Sequence, residues 1–373
     1  MREGRIRKAM KIAVLGTGNA GLACAGDLAL AGHEVHLWGR TRANFASVLL
    51  NKASRSGPGL IHVNALEHGG DAQIALVTDD IAQSIEGVNL ILVAAPAFAH
   101  DDITRGFAPH VQADQVVAYM PGNFTTPSAR RILESTGAPD VLLVETATLP
   151  YGTRRGQGAE VTIPVRTVRN PTAALPASRT AEAIAILQQV YPAVMPAVDV
   201  LDTALLNPNC PAHATLMTTS AGAVEHFGAA YDMQTQGITP ATLRLIYALD
   251  AERIAVREAL GYGAPHFPQN TYYDRAHAEE GMFGQTAVQL VAESALWRER
   301  VTMEHRYLGE DVAYGLSLIA EMGQVAGVPT PSVDAVIQVA SVLRGEELRW
   351  RGRTLASLGL EGLGIADLRA RVH

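Results

Sequence analysis

An apolar run that empties into a glycine-rich turn constrains this chain more than any other feature. Residues 11–16 read KIAVLG and continue as TGNAGLACAGDLALAG, which sets Gly16, Gly18 and Gly21 in a G-x-G-x-x-G spacing. Each glycine has its own reason. Gly16 permits a tight turn, Gly18 lets the backbone approach a pyrophosphate, and Gly21 lets the following helix pack closely. Asn19 and Ala20 open that helix, whose free N–H groups suit phosphate oxygens. A second apolar run, 34–38, completes a strand–turn–helix–strand unit of the dinucleotide-binding kind.

The alternation continues. Apolar runs at 74–77, 88–95, 115–119 and 141–145 read as strands, and 80–85, 97–107 and 125–136 as the helices between them. That order predicts a parallel sheet with right-handed crossovers. Residues 45–50 suggest a short helix and 51–59 a polar surface loop. A further strand is expected at 161–167, an amphipathic helix at 181–190 and proline-interrupted strand-like sequence at 191–200. Beyond that the pattern turns helical: 212–228, 240–260, 283–293, 314–326 and 333–343, with short segments at 354–358 and 365–370. The expected fold is an α/β Rossmann-type nucleotide-binding domain over 10–200, followed by an all-helical catalytic and substrate domain over 201–373. Residues 1–9 read as an extension before a more natural start at Met10.

Composition narrows the partners. With 373 residues two domains are expected, and a net charge of -7 argues against nucleic acid or an anionic membrane as the main partner. No run suits a membrane span or a signal peptide, and two cysteines, Cys24 and Cys210, make no disulfide framework; a soluble cytoplasmic protein is expected. The only lysines are Lys8, Lys11 and Lys52. A lysine acid or Schiff base is therefore excluded from the second domain, and positive charge there comes from arginine, histidine or backbone dipoles. Cys, His and carboxylate spacing suggests no metal site.

At the end of the second strand, where an NAD site commonly carries Asp or Glu, the chain has Gly39 followed by Arg40, Thr41 and Arg42. Arginine forks suit a 2′-phosphate, so NADP is favoured over NAD. The later strand-end turns, with Ala95 and Pro96 and then Gly122 and Asn123, are expected along the cofactor cleft. Glu145, at the end of the next strand, reads equally as a cleft residue or a helix-cap partner.

The chain resembles the opine dehydrogenase family, also called the octopine/nopaline dehydrogenase family. The resemblance runs through GTGNAG at 16–21, APAFAH at 95–100, MPGN at 120–123, ETATLPYGTR at 145–154, NPNCPAH at 207–213, HRYLGEDVAYGL at 305–316 and GRTLASLGLEGLG at 352–364. It implies reductive condensation of an amino acid with a 2-oxo acid through an imine, with NAD(P)H as hydride donor. It also implies His213 as the acid/base, Asp311 as its partner and Arg306 as a substrate-binding arginine. Asn207, Tyr151 and Arg154 are further substrate-site candidates, and Glu225, Glu279 and Glu280 are weighed for a basic amine. The residue chemistry agrees: histidine exchanges protons near neutrality, and a carboxylate holds one imidazole tautomer. Two alternatives stay open. One is an NADP-dependent 2-oxo acid reductase making a 2-hydroxy acid. The other is a non-catalytic dinucleotide sensor. The apolar helical domain leaves room for a homodimer.

Overall fold

The computed structural model describes residues 9–65, 69–284 and 301–373. Its first half is one eleven-stranded sheet. The strands are β1 (Lys11–Leu15), β2 (Glu34–Trp38), β3 (Gly57–Ala65), β4 (Gly70–Thr78), β5 (Leu90–Val93), β6 (Val116–Tyr119), β7 (Leu142–Thr146), β8 (Tyr151–Arg155), β9 (Glu160–Arg166), β10 (Asn170–Leu175) and β11 (Val194–Pro196). They lie in the order β11-β10-β7-β6-β5-β1-β2-β4-β3-β9-β8. The central ladder from β4 to β7 is parallel, as expected. Its inner strands β5 and β6, LILV and VVAY, are buried throughout because helices cover both faces. The helices are α1 (Asn19–Leu30), α2 (Ile81–Ile85), α3 (Ala97–Phe107), α4 (Thr126–Ser135) and α5 (Thr180–Leu187). Asp80 caps α2 by accepting from the Gln83 N–H.

The sheet departs from expectation at its edges. The loop expected over 51–59 gives way at Gly57 to β3, which pairs antiparallel with β4. The helix expected over 45–50 is absent; one tight turn, Arg42–Asn44, leads to Leu49, which bridges to Gly59. β8 pairs antiparallel with β9, and β9 adds to β3. This carries residues 151–155 to the far edge of the sheet, past the cofactor turn. β9 is the strand expected over 161–167, whereas glycine, proline and arginine interrupt the apolar alternation of β3 and β8.

The second half is helical. Helix α6 (Val200–Leu205) leads into α7 (Asn209–Phe227), and further helices run over Pro240–Ala259, Arg306–Asp311, Ser317–Ala326, Pro331–Arg344 and Ile365–Val372. Between Asp311 and Ser317 the helix widens into a π turn, Val312–Leu316. Such a turn is costly and recurs at functional sites. Of the helix expected over 283–293, residues 285–293 lie outside the described residues.

Two local constructions set up the site. The first is the turn after β6. Asn123 and Phe124 adopt left-handed φ of 52° and 60°, costing about 1–2 kcal/mol each for non-glycine residues. Glu145, buried on β7, holds them. It accepts from the Phe124 N–H (2.8 Å), the Thr126 N–H (2.6 Å) and the Thr126 hydroxyl (2.8 Å). A Cβ on Gly122 would lie 2.1 Å from the Glu145 Oε2, so that position accepts only glycine. The twist delivers Phe124 into the helical domain's core, and burying it offsets about 1.5–3 kcal/mol.

The second is a buried ionic cluster beneath the start of α7. The Arg253 guanidinium pairs with Asp250 at 2.7 Å and donates to the carbonyls of Leu205 (2.9 Å) and His266 (2.8 Å). Asp250 also accepts from the Gln269 N–H, and the Gln269 amide donates to the Pro208 carbonyl (2.6 Å). Arg257 pairs with Asp202 at 2.6 Å. These charges fix the ends of the 206–209 bend. Arg253→Met strips a buried charge of its partner, and urea denaturation should show a loss of about 3–5 kcal/mol.

Candidate functional site

A cleft of about 770 Å³ runs between the two halves. One end is built by residues 16–20, 38–41, 94–96 and 120–121, and the other by His213, Arg306, Tyr307 and Glu310 from the helical domain. The glycine turn has the shape that a dinucleotide needs. Gly16 has φ of +140°, and a Cβ there would lie 2.3 Å from the Ala94 carbonyl oxygen. A Cβ on Gly21 would lie 1.9 Å from the Gly16 carbonyl oxygen, so Gly21 seats α1 against the turn rather than touching ligand. At Gly18 nothing stands within 4 Å, which leaves an open approach to the backbone at the start of α1. These residues fit a pyrophosphate.

At the ribose end, a Cβ on Gly39 would come within 2.6 Å of Thr17 and 2.8 Å of Phe45. Packing therefore closes the position where a ribose-binding carboxylate would stand. Arg40 and Thr41 line the cleft. Arg42 does not: its guanidinium donates to the carbonyls of Lys52 and Ser54 and pins the loop before β3. Asp79 also lines this end and pairs with Arg55.

The turns after β5 and β6 divide their roles. Ala95, Pro96, Met120 and Pro121 face the cleft. Gly122 and Asn123 lie behind it, in the turn held by Glu145, which thus acts as a helix-cap partner. His100 is buried between the two turns. Its Nε2–H donates to the Ala95 carbonyl (2.8 Å), and Nδ1 faces the Thr125 hydroxyl at 2.7 Å. Burial lowers its pKa to about 3, helped by the Arg353 charge.

On the opposite wall, the helix α7 presents His213 one turn after its start. The Nδ1–H donates to Asp311 Oδ2 at 2.9 Å, which fixes the tautomer and leaves Nε2 to exchange a proton. The Tyr307 ring stacks on the imidazole, with centroids 3.8 Å apart and planes at 25°. Asp311 is 5% exposed and its other oxygen faces the Cys210 thiol at 3.8 Å. Burial raises that thiol well above the ordinary range, so it stays a neutral donor. The π turn brings Gly315 against this cysteine; a Cβ there would lie 2.1 Å from the sulfur.

The remaining candidates separate. Arg154 lines the cleft from β8 and reaches to 3.5 Å from the Tyr307 hydroxyl. Tyr151 turns its hydroxyl into the sheet domain, 3.4 Å from that of Tyr191, so only its ring borders the cleft. Burial raises that phenol's pKa well above the usual value. Asn207 is buried and is absent from the cleft lining. It donates to the Asn123 side chain (2.7 Å) and accepts from the Asn209 N–H (3.0 Å), tying the turn after β6 to the start of α7. Glu225, Glu279 and Glu280 are exposed away from the cleft. Among the described residues no cluster of three His, Cys, Asp or Glu side chains could hold a metal. No helix among them is long and apolar enough to cross a membrane.

Comparison with known proteins agrees with both halves. Residues 12–121 match the ketopantoate reductase PanE/ApbA family, and residues 196–344 match the alpha-helical domain of NAD/NADP octopine/nopaline dehydrogenase. The chain is 31% identical to the opine dehydrogenase of Arthrobacter sp. (strain 1C), over 97% of this chain and 98% of that protein. It belongs to the opine dehydrogenase family. The protein ocs of Agrobacterium tumefaciens (strain Ach5) is 29% identical over 94% of this chain and 96% of its own length. The fold also matches solved structures. An octopine dehydrogenase in complex with NADH and agmatine superposes with a TM-score of 0.72 at 20% identity, over 98% of this chain and 99% of that one. An NADP+-bound yersinopine dehydrogenase superposes at 0.64 and 15% identity, covering 98% and 97%.

In this opine dehydrogenase fold, the residues that sequence reasoning overlooked are Cys210, Glu310, Arg353 and His100. Glu310 alone left a local sign: it stands four residues after Arg306, the spacing of a helical ion pair. Asp311→Asn offers Nδ1 an amide that can donate as well as accept and removes the charge. It should lower kcat by about 10²–10⁴-fold while NAD(P)H affinity, read by fluorescence quenching, stays within about twofold.

Proposed function

We infer that this protein is an NAD(P)H-dependent opine dehydrogenase, joining an amino acid's amine to a 2-oxo acid through an imine, or oxidising the product in reverse. The observation that carries this reading is the facing arrangement in one cleft. An imidazole–carboxylate pair and an arginine from the helical domain look across at a glycine turn built for a dinucleotide. When bound, the nicotinamide supplies the hydride. Residues 16–20 would receive its pyrophosphate, and the turns at 94–96 and 120–121 would border its reactive end.

Arg306 holds the 2-oxo acid carboxylate through its planar fork of donors, and Arg154 adds positive charge on the same wall. His213 Nε2 takes the proton that the attacking amine releases. It returns that proton to the carbonyl oxygen as the carbinolamine forms, and relays a second proton from the amine nitrogen to the resulting hydroxyl, which leaves as water when the imine forms. Asp311 keeps Nδ1 protonated throughout, so both transfers use one nitrogen. Enclosure between the domains excludes bulk water that would compete for the imine.

NADP(H) is the favoured form. Gly39 leaves no carboxylate to repel a 2′-phosphate, Arg40 and Thr41 line that end, and Arg55 neutralises Asp79. Arg40→Ala should weaken NADPH binding about tenfold or more and leave NADH binding nearly unchanged. Equal losses for both cofactors would contradict the preference.

The activity itself is tested by following NAD(P)H oxidation with a panel of 2-oxo acids, each with and without amino acids. Oxidation that needs both supports the reading. Oxidation by the oxo acid alone moves the assignment to a 2-hydroxy acid dehydrogenase, and tight cofactor binding without turnover of any pair favours a sensor.

A further inference from the structure

One carboxylate in the cleft has no place in the scheme above. Glu310 is only 3% exposed, yet it borders the cleft beside Arg306. Its two oxygens point to different domains. Oε2 meets the Arg306 guanidinium at 3.3 Å, and Oε1 accepts from the Ala97 N–H at 2.8 Å. Ala97 opens α3, directly after Pro96 at the cofactor end of the cleft. The same residue is held from its other side. Buried Arg353, from the C-terminal segment, donates to the Ala97 carbonyl (2.9 Å) and to the Asn123 carbonyl (3.1 Å).

The pair is poorly explained as a stability device. Burial raises the pKa of Glu310, with Arg306 opposing. An ion pair in such a place gains little over an apolar replacement. The Arg306 side chain is 43% exposed and lies over the Tyr307 ring, 5.3 Å from its centroid; the Glu310 contact narrows the rotamers that this leaves open. An arginine that must present two parallel donors to a carboxylate loses affinity with each rotamer it can reach.

We propose that Glu310 is a positioning residue: it fixes the Arg306 fork relative to the Pro96–Ala97 turn, and so sets the place of the 2-oxo acid against the cofactor. This rests on the reading of Arg306 as the oxo-acid anchor. Glu310 touches neither substrate nor hydride. It transmits the position of one domain's turn to the other domain's arginine.

Glu310→Gln separates the two contacts. Its amide oxygen still accepts from Ala97, whereas the amide nitrogen and the lost charge release Arg306. Four enzymes are compared: wild type, E310Q, R306A and the double variant. Readouts are thermal midpoint, NAD(P)H Kd, and KM and kcat for the 2-oxo acid at saturating amine. E310Q should keep the cofactor Kd within about twofold and raise the oxo-acid KM tenfold or more. The double variant should match R306A, because a residue that acts through another adds nothing once that partner is gone. E310D, which retains the charge, should recover part of the KM.

An E310Q with wild-type oxo-acid KM, beside an R306A whose KM rises, overturns the link while leaving the role of Arg306 intact. An R306A with unchanged KM overturns the anchor reading and the proposal with it. If E310Q and E310D both fail to fold, or lose Kd, KM and kcat together with the thermal midpoint, Glu310 is structural and the proposal fails.

Discussion

The strand-end turns after β5 and β6 are held by side chains of the helical domain, and the geometry of the cleft depends on that grip. Ala97 is bonded through its N–H to Glu310 and through its carbonyl to Arg353. Asn123, one turn further along the sheet edge, is bonded through its side chain to Asn207 and through its carbonyl to Arg353. A Rossmann-type domain alone provides a phosphate cradle and a row of strand ends. It has no means of setting a proton donor at a fixed distance from a hydride. Here each strand-end turn is bonded to the segment that also carries His213 or Arg306, so the two walls of the cleft share one frame.

The division of labour between the halves explains which neighbouring activities the fold admits. The first domain resembles that of ketopantoate reductases over 12–121, but a shared nucleotide domain fixes only the cofactor class. In the reading proposed above the proton chemistry falls to the second domain, where no lysine occurs at all. A mechanism that draws its proton from an ammonium there has no residue to use. In the proposed reaction the imidazole and carboxylate of His213 and Asp311 take that part, and Arg306 and Arg154, which line the cleft, supply the positive charge. The π turn after Asp311 belongs to the same design. It sets Gly315 against Cys210 so that the thiol can face one carboxylate oxygen and the imidazole the other.

Much of this was legible in the chain because it is local. The glycine spacing, the apolar strands of the parallel ladder and the switch to helical periodicity near residue 200 are all nearest-neighbour patterns. The His213–Asp311 pair was not local, and only resemblance to a family joined residues 98 apart. Arg42 and the Tyr151 hydroxyl show the converse case. Each stands at the right place along the chain, but the Tyr151 hydroxyl turns toward Tyr191, leaving its ring at the cleft, and the Arg42 guanidinium is spent on loop carbonyls. β3 and β10, which lie outside the parallel ladder, were missed for a simpler reason: they open with Gly-Pro and Asn-Pro and carry few consecutive apolar residues. Contacts such as Arg353 to Ala97, across 256 residues, leave no local trace in a sequence.

The central claim is that hydride goes to a carbon bonded to the incoming amine nitrogen. It is tested most directly with NAD(P)H deuterated at nicotinamide C4, a 2-oxo acid and an amino acid, with products read by mass spectrometry. Deuterium on the carbon between the new C–N bond and the former oxo-acid carboxylate is the predicted result. Deuterium in a 2-hydroxy acid, with the amino acid recovered unchanged, would contradict it.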